Sequence, residues 1–412
     1  MNLELFIARR LFGTRKGEHR ISKPAVTIAQ WGVSVGIIVM IASLCIVVGF
    51  KHEIKEKIIG FGGHIQVRNY EVSEYGDNPV TANSDDLDAL KSFPEITNIQ
   101  QFIQKPGLIA VDDEFEGVII KGIGSNYNNN FISSHIIEGT FPQFSDTAAS
   151  NKIVISRIIA DKLKISQGDK INIYFIQEGI KARRMVVEGI YETNLNEMDE
   201  LLAITDIYTT RRLNNWESNQ STGLEISVNE YEKVNETRDT MLSTIGSIAD
   251  KHRQRLFVQT VEESNPRMFA WLEVLDGTVW IILVLVLGIA GFTVISGLLI
   301  LILEKSNLIG VMKAIGANDA SIRKIFLYYA IFIIGRGMLW GNIIGLSLCY
   351  LQKVTGIIAL DPTMYYMDRV PIMFTWWLVP MNIIMFIISV AMLVLPSMLI
   401  SRIEPTKAIK FE

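Results

Sequence analysis

The sequence predicts an α-helical membrane protein with four transmembrane helices and a large α+β extracytoplasmic domain inserted between helices 1 and 2. Three observations lead to this fold class: four long apolar segments, a one-sided distribution of Lys and Arg beside them, and a series of short β-branched runs after the first segment. The chain has 412 residues and is 49% hydrophobic. Such a composition is too apolar on average for a soluble protein.

The four apolar segments each exceed the ~20 residues that cross the hydrocarbon core of a bilayer. Three of them contain no charged residue, and the third along the chain contains only Arg336. We therefore predict transmembrane helices at residues 25–50, 277–303, 325–350 and 372–400.

Lys and Arg near the apolar segments predict the orientation, because short segments rich in these residues resist translocation. Positive residues are frequent in residues 1–24, 304–324 and 401–412, whereas the loop at 351–371 has only Lys353 and Arg369. Both termini and the 304–324 loop are therefore predicted to be cytoplasmic. Residues 51–276 and 351–371 are predicted to lie outside, which in a bacterium is the periplasmic side of the inner membrane.

The outer segment, residues 51–276, has the pattern of an α+β protein and is long enough for two small domains. Short β-branched runs such as KINIYFI and RRMVVEGIY predict strands, and SRIIADKLKI and EYEKVNETRDTMLSTIG predict helices. The segment holds 23 Lys and Arg against 35 Asp and Glu, which argues against nucleic acid as a partner. Cys45 and Cys349 both fall in predicted spans, so no disulfide is expected in this domain.

The 304–324 loop predicts a short amphipathic helix at the cytoplasmic surface. Leu308, Ile309, Met312 and Ile315 recur at helical spacing, and Gly316 is placed where a glycine ends a helix. An ordinary inter-helix loop is the alternative interpretation. Residues 2–12 predict a second amphipathic helix, at the membrane interface, with a disordered basic tail as the alternative.

The third predicted span carries a stripe of small residues that indicates close contact with another helix. Arg336 lies near its middle, where a charge costs roughly 2.5–3.5 kcal/mol, so we expect this side chain to face protein or a wet cavity. A structural role at a helix interface is favoured over substrate contact. The residues assigned to helix packing are Gly337, Gly341, Gly345 and Arg336.

No catalytic constellation is recognisable. The chain has no G-x-x-x-x-G-K-[ST] motif, its five histidines lack zinc-ligand spacing, and GVSVG lies inside a predicted span and not at a strand-to-helix turn. The acidic cluster around Asp112 and Glu116 is interpreted as a solvated hairpin tip. We predict a non-catalytic protein that binds no metal or cofactor of its own.

Several segments, in order, resemble the FtsX/MacB-like ABC permeases, and within them the lipoprotein-releasing permeases of the LolC/LolE type. These segments are VVGFKHEIKEKI followed by GGHIQV, VEESNPRMFAWLEVLDGTVW, EKSNLIGVMKAIGANDASIRKIFL, LDPTMYYMDRVPI and EPTKAIKFE. The resemblance implies that two permeases, identical or sister subunits, pair around two copies of an ABC ATPase that binds ATP and Mg²⁺. It further implies extraction of an acylated lipoprotein from the outer leaflet and its transfer to a periplasmic carrier.

The resemblance also assigns the 304–324 loop as a coupling helix that docks on the ATPase. The coupling residues it implies are Glu304, Lys305, Ile309, Gly310, Met312, Lys313, Ala314, Gly316 and Ala317. Apolar residues at the outer ends of the first two spans are candidates for the substrate cavity, with simple lipid contact as the alternative: Val47, Val48, Phe50, Leu275, Val279 and Ile282.

Two other functions stay open at this point. The same architecture serves a mechanotransmitting permease that controls a cell-wall hydrolase or exports a peptide or drug. A membrane-anchored sensor is disfavoured because the chain has no cytoplasmic signalling domain. The hairpin at residues 170–191 has a short tip at 177–182, which leaves carrier docking through it in question.

Overall fold

The structure, a computed structural model, describes residues 3–13, 22–73, 76–112, 114–176 and 179–397. Its α-helices are α1 (Leu3–Gly13), α2 (Ser22–Gly62), α3 (Ser84–Lys91), α4 (Asn130–Ser134), α5 (Arg157–Leu163), α6 (Asn196–Asp199), α7 (Ile207–Leu213), α8 (Val234–His252), α9 (Val261–Ser264), α10 (Pro266–Glu304), α11 (Ser306–Ala314), α12 (Asp319–Thr355), α13 (Pro362–Tyr365), α14 (Leu378–Met392) and α15 (Val394–Ser397).

The strands are β1 (Ile65–Asn69), β2 (Val72–Ser73), β3 (Gly76–Asp77), β4 (Val80–Thr81), β5 (Ile96–Val111), β6 (Glu114–Ile123), β7 (Ile136–Gly139), β8 (Lys152–Ser156), β9 (Lys170–Ile176), β10 (Ile180–Tyr191), β11 (Leu202–Asp206), β12 (Gln220–Ser221), β13 (Gly223–Val228) and β14 (Leu256–Thr260). The chain divides into a helical unit and an outer unit. The helical unit comprises residues 1–51, 271–359 and 369–412, and the outer unit comprises residues 52–270 and 360–368.

Among the described residues, three helices are long and apolar enough to cross a membrane, namely α2, α10 and α12. They contain the first three predicted spans, but α2 continues past residue 50 to Gly62 and α10 begins at Pro266, ahead of residue 277. The predicted span at 372–400 corresponds to α14, which has only 15 residues, and residues 398–400 lie outside the described ranges. The part of the chain that the structure describes thus has three long apolar helices and one shorter apolar helix.

The outer unit is built on one mixed sheet that, within the described residues, has ten strands in the order β14-β1-β13-β5-β6-β11-β8-β10-β7, with β9 paired to both β10 and β5. The double pairing of β9 closes β5, β6, β11, β8, β10 and β9 into a ring. Alternate side chains of this ring, together with those of α5, form one apolar core. A second core lies between β1, β13 and the helices α3 and α8.

Local sequence explains where the elements of the outer unit begin and end. Ser156 Oγ accepts a hydrogen bond from the Ile159 N–H and starts α5, and Lys164 ends that helix in the left-handed region at φ +54°. The tip between β5 and β6 turns at Asp112, with φ +50°. Glu114 and Glu116 beside it pair with Lys164 and Lys162, as expected of a solvated hairpin tip and not of a catalytic carboxylate pair.

A buried ionic network ties the end of α2 to the sheet of the outer unit. Lys121 Nζ lies 2.6 Å from Glu225 Oε1, and the two side chains are 3% and 1% exposed. Lys121 also donates to the Phe61 carbonyl and to Tyr127 Oη, and Tyr127 Oη donates to Glu225 Oε2. Because each member has a partner, burial of this ion pair leaves no charge uncompensated.

Candidate functional sites

The short helix α11 lies between α10 and α12 in the helical unit. It ends where Gly316 takes φ +96° and the Ala317 N–H donates to the Met312 carbonyl at 2.9 Å. Asn318 Oδ1 then accepts from the Ala320 N–H and caps α12. Both turns were expected from the sequence, so the loop is a helix with defined ends.

One face of α11 is buried within the chain and the other is exposed. Ile309 is 0% exposed and Gly310 is also buried, and Ile309 packs in the helical core with Ile322. Both residues pack within the chain, so any part they take in coupling passes through the packing of α11, and their assignment stays a prediction. The exposed side carries Leu308 and Val311, and Ile315 is 82% exposed at the C-terminal end of the helix.

The other predicted coupling residues divide between support and surface. Lys313 is mostly covered because its Nζ lies 3.0 Å from Asp319 Oδ1, which ties α11 to the start of α12. Ala314 and Gly316 are exposed, and the remaining members of the predicted set are partly buried: Glu304, Lys305, Met312 and Ala317. Leu308 and Ile315, which the helical spacing singled out, and Val311, which it did not, form an exposed stripe that stands outside the predicted coupling set.

The N-terminal segment predicted as an interfacial helix is α1. Ala8 is fully buried in the helical core and Ile7 packs against it, whereas Leu5 and Phe6 are exposed. Helix α1 packs against α12. It is therefore part of the helical unit that supports α11.

An apolar groove runs between α2 and α10 in the helical unit, with a volume of ≈ 550 Å³. The two helices approach closely there because Gly32 has no side chain; a Cβ at this position would lie 2.6 Å from Thr293 Cγ2. The groove is lined by Thr27, Ile28, Trp31, Gly32, Val35, Gly36, Val39, Val286, Ile289, Ala290 and Thr293.

None of the six residues predicted for a substrate cavity lines this groove, although they lie on the same two helices. Phe50 is buried, with its ring centroid 5.9 Å from that of Trp271, and Val279 is buried as well. The other four are partly buried: Val47, Val48, Leu275 and Ile282. The groove lies at residues 27–39 and 286–293 of the same two helices, and the assignment of the six residues to a substrate cavity stays a prediction.

The glycine stripe of α12 lies against α2. A Cβ at Gly341 would lie 2.7 Å from Ile37 Cβ, and Ser34 Oγ donates to the Gly337 carbonyl at 2.8 Å. Gly345 faces Ile41 in the same way. The side chain of Arg336, by contrast, is exposed on α12 and lies outside this interface.

Lys57, near the end of α2, holds two distant segments of the outer unit together. Its Nζ donates to the carbonyls of Thr193 and Tyr366, both at 2.6 Å, and the residue is 7% exposed. Asn194 and Asn196 add hydrogen bonds to Asp368 Oδ1 and the Thr363 carbonyl. The segment LDPTMYYMD is thereby fixed to the outer unit, a role that its sequence did not indicate.

Asp199 fixes Thr193, whose carbonyl accepts the hydrogen bond from Lys57. Its carboxylate accepts from the Thr193 hydroxyl at 2.7 Å and from the Thr193 N–H at 3.0 Å. Burial raises the pKa of Asp199, and the hydrogen bonds from Thr193 oppose that rise. Within the described ranges, no three His, Cys, Asp or Glu side chains are grouped so that they could hold a metal ion.

Comparison with known proteins assigns both parts of the chain. Residues 27–243 match the MacB-like periplasmic core domain, and residues 280–405 match the FtsX-like permease C-terminal family. The lipoprotein-releasing system transmembrane protein LolE of Haemophilus influenzae is 22% identical over 91% of each chain. The corresponding LolC of Neisseria meningitidis is 22% identical over 90% of this chain and 89% of the relative.

Among solved structures, the periplasmic region of MacB from Actinobacillus actinomycetemcomitans aligns with a TM-score of 0.34 and 13% identity, covering 52% of this chain and 96% of that one. The family matches together extend over most of the sequence, in the order and at the positions of the outer unit and the later membrane helices. The chain belongs to the FtsX/MacB-like permease superfamily.

Proposed function

We propose that this chain is the membrane subunit of an ABC transporter that extracts lipoproteins from the outer leaflet of the inner membrane. The observation that carries the proposal is α11, a short helix anchored on one face and apolar on the other, in a chain whose similar relatives include lipoprotein-releasing proteins. ATP and Mg²⁺ are bound by a separate ATPase, of which the complex contains two copies.

Coupling works through the two faces of α11. The exposed stripe of Leu308, Val311 and Ile315 inserts into an apolar groove of the ATPase, in the manner of an amphipathic helix docking into a partner. The buried face at Ile309 and the ion pair between Lys313 and Asp319 hold α11 on the helical unit. Displacement of the ATPase is thereby passed to α12, because packed helices move as rigid bodies and do not deform continuously.

The proposed topology has four spans, with α14 and the residues beyond it forming the fourth. Both termini and α11 are cytoplasmic, and the outer unit is periplasmic. A second permease, either another copy or a sister subunit, completes the membrane part of the complex. The apolar residues exposed on α10, such as Leu285 and Phe292, supply surface for that partner and for lipid.

In the proposed topology, the groove between α2 and α10 lies from the middle of the two spans toward their cytoplasmic ends, so lipid of the inner leaflet or a partner helix covers this groove, and not the lipoprotein. Its lining is apolar except for Thr27 and Thr293, and the Thr293 hydroxyl is already paired because Oγ1 donates to the Ile289 carbonyl. Each methylene buried in such a groove contributes about 0.8 kcal/mol. Val47, Val48, Phe50, Leu275, Val279 and Ile282 remain our proposal for the path by which chains enter from the outer leaflet.

Release completes the cycle. ATP-driven closure of the outer units of the two permeases expels the lipoprotein toward a periplasmic carrier. The hairpin of β9 and β10 projects Ile176 and Ile180, which are 76% and 75% exposed, at its tip. Two apolar side chains at a short tip offer a small contact, so any carrier docking here is weak and transient.

The decisive test is purification of the complex from native membranes, followed by mass spectrometry of the retained proteins and acylated peptides. We expect a P-loop ATPase together with triacylated lipoproteins that are released when ATP is added. Recovery of the ATPase with a soluble hydrolase or a channel, and no lipoprotein, would overturn the extraction proposal.

The coupling step is tested by Ile315→Glu, with Ile315→Leu as the matched control. Because Ile315 is 82% exposed, neither change disturbs the packing of the chain. We expect the glutamate variant to insert normally but to lose copurified ATPase at least 10-fold, and the leucine variant to retain it. Full ATPase retention by Ile315→Glu would contradict the assignment of this face.

A second candidate is a mechanotransmitting permease that controls a cell-wall hydrolase or exports a peptide or drug. The match of residues 27–243 to the MacB-like periplasmic core domain favours it, because that family is not confined to lipoprotein release by its description. It uses the same coupling helix, and only the proteins and lipids that copurify distinguish it from the first proposal.

A further inference from the structure

Strand β14 ends the large sheet of the outer unit, with β1 as its neighbour. The Tyr70 N–H donates to the Arg255 carbonyl and the Val261 N–H donates to the His64 carbonyl, which fixes the alternation of the antiparallel ladder. By that alternation, the main-chain N–H and C=O groups of Phe257 and Gln259 form hydrogen bonds with β1. Those of Leu256 and Val258 point away from the sheet. Within the described ranges, no hydrogen bond of these outward groups is found.

A pocket with a volume of ≈ 600 Å³ opens on one face of the same strand pair. Gln66 and Gln259 are register partners, as are Arg68 and Phe257, so all four project to this face. Gln104 reaches it from β5. The volume lies within the roughly 300–1,000 Å³ of ligand pockets and is far too small for a folded domain.

The mouth of the pocket is aromatic and its interior is rich in amides. Tyr70 is 71% exposed and its ring meets that of Phe257 edge-on, with centroids 6.2 Å apart. Inside, Arg68 donates through Nε to Gln66 Oε1 at 3.1 Å and through Nη2 to Gln104 Oε1 at 2.8 Å. Amide side chains both donate and accept, which suits the alternating groups of a polypeptide.

The charge of the pocket differs from that of the segment around it. Residues 51–276 carry an excess of acidic side chains, yet Arg68 is the charged member of the described pocket lining. Arg253 and Arg255 precede β14 and Glu262 and Glu263 follow it, and Arg255 Nε lies 3.8 Å from Glu71 Oε1, so the charge around the strand is mixed. The pocket lining itself, with Arg68 and no acidic side chain among its described residues, therefore suits a ligand with an acidic group.

We propose that β14 and this pocket bind an extended polypeptide segment with an acidic side chain, which adds to the sheet as a further strand. Outward main-chain groups supply affinity in such β-strand addition, and the pocket selects the side chains. Resting on the proposed function, we identify the segment as the unfolded stretch that follows the acylated N-terminus of the lipoprotein. A second copy of β14 is a poorer occupant, because two five-residue strands bury far less than the ~1,200 Å² of a stable interface.

The test uses the full chain, purified with its ATPase, and a fluorescent eight-residue peptide of alternating Thr and Val with one central Asp. Fluorescence anisotropy measures binding of this peptide, of a version N-methylated at alternate residues, and of a version with Lys in place of Asp. We expect N-methylation to weaken binding at least 10-fold because it removes main-chain donors. The lysine peptide should bind about 5-fold more weakly than the aspartate peptide.

Two matched variants locate the site on β14. Val258→Pro removes the outward N–H and leaves the bonds to β1 intact, since proline is tolerated on an edge strand whose N–H faces outward. Val258→Ala shortens the same side chain but keeps the N–H. We expect peptide binding to be about 10-fold weaker for Val258→Pro and at most 2-fold weaker for Val258→Ala. A third variant, Arg68→Gln, tests the charge preference and should bind the aspartate and lysine peptides equally well.

Equal binding of the N-methylated peptide to the unmodified chain would overturn the proposal without any variant. The proposal would also be overturned if no peptide bound to the chain and light scattering showed that Val258→Pro breaks an association between two copies of the chain. The edge of β14 would then pair with a second copy. The remaining combination is that the peptide binds as expected while no lipoprotein is recovered with the complex. That combination would support the strand-addition site and contradict only the proposed function.

Discussion

The outer unit and the helical unit are stabilised in different ways. In the outer unit, apolar side chains fill two cores around one sheet, and buried polar groups such as Lys121 and Glu225 have partners inside the same unit. In the helical unit, Leu285, Phe292 and Leu303 are 61%, 72% and 71% exposed, and α2 and α12 meet through glycines. The first unit buries most of its apolar side chains within itself, whereas the second leaves many of them exposed, as expected of helices that lie in lipid.

The largest loss of stability is expected in the outer unit, from Lys121→Met. Removal of the lysine leaves Glu225 buried at 1% exposure without its counter-charge, which costs about 3–5 kcal/mol of unfolding free energy. Chemical denaturation followed through the outer unit measures the loss. The double variant Lys121→Met with Glu225→Leu should recover most of it; a double variant as unstable as the single one would show that the network holds the end of α2 by more than charge.

A change in the helical unit comes next. Gly341→Ala places a methyl group 2.7 Å from Ile37 Cβ and 2.8 Å from the Ser34 carbonyl, so α2 and α12 must separate. Overpacking of this kind costs about 1–3 kcal/mol. Gly335→Ala is the matched control, because no atom lies within 4 Å of its added Cβ. Thermal unfolding in detergent should show a lower midpoint for Gly341→Ala alone, and similar midpoints would argue against close packing here.

An acid-dependent loss of about 2 kcal/mol is expected in the outer unit. Burial of Asp86 opposes its ionisation, but hydrogen bonds from Lys251, His252 and the Asn83 N–H outweigh burial and lower its pKa to about 2. Because this pKa lies below the ordinary 3.8, the contribution is present above about pH 4 and is lost as the pH falls toward 2.

The measurement for Asp86 is the unfolding free energy between pH 6 and pH 2.5, compared with Asp86→Asn. The two curves should converge at the acidic end, since the protonated acid and the amide are alike in charge. A constant difference across this range would mean that the ion pairs with Lys251 and His252 contribute nothing.

The smallest effect on stability is expected from Ile315→Glu, within about 0.5 kcal/mol in detergent, because exposed side chains contribute little to folding. Ile309→Ala, only six positions earlier but fully buried, should cost about 2–4 kcal/mol. Equal losses for the two variants would show that the α11 surface is packed and not available to a partner.

The sequence by itself determined the apolar helices, the α+β character of the outer segment, and the ends of α11 at Gly316 and Asn318. These features depend on local chemistry. A long apolar segment without charges is more stable in lipid than in water, alternating β-branched residues form strands, and glycine tolerates a positive φ. The order of family motifs also lies in the sequence, which is why the superfamily could be inferred before the fold.

Only the tertiary structure decided which face of α11 is free, because Leu308 and Ile309 are both apolar and burial depends on where α1 and α12 pack. The same holds for the groove at Gly32, for the Lys57 junction across 309 residues of chain, and for the outward groups of β14. Each of these depends on segments far apart in sequence, and no local pattern specifies which distant segment will be the neighbour.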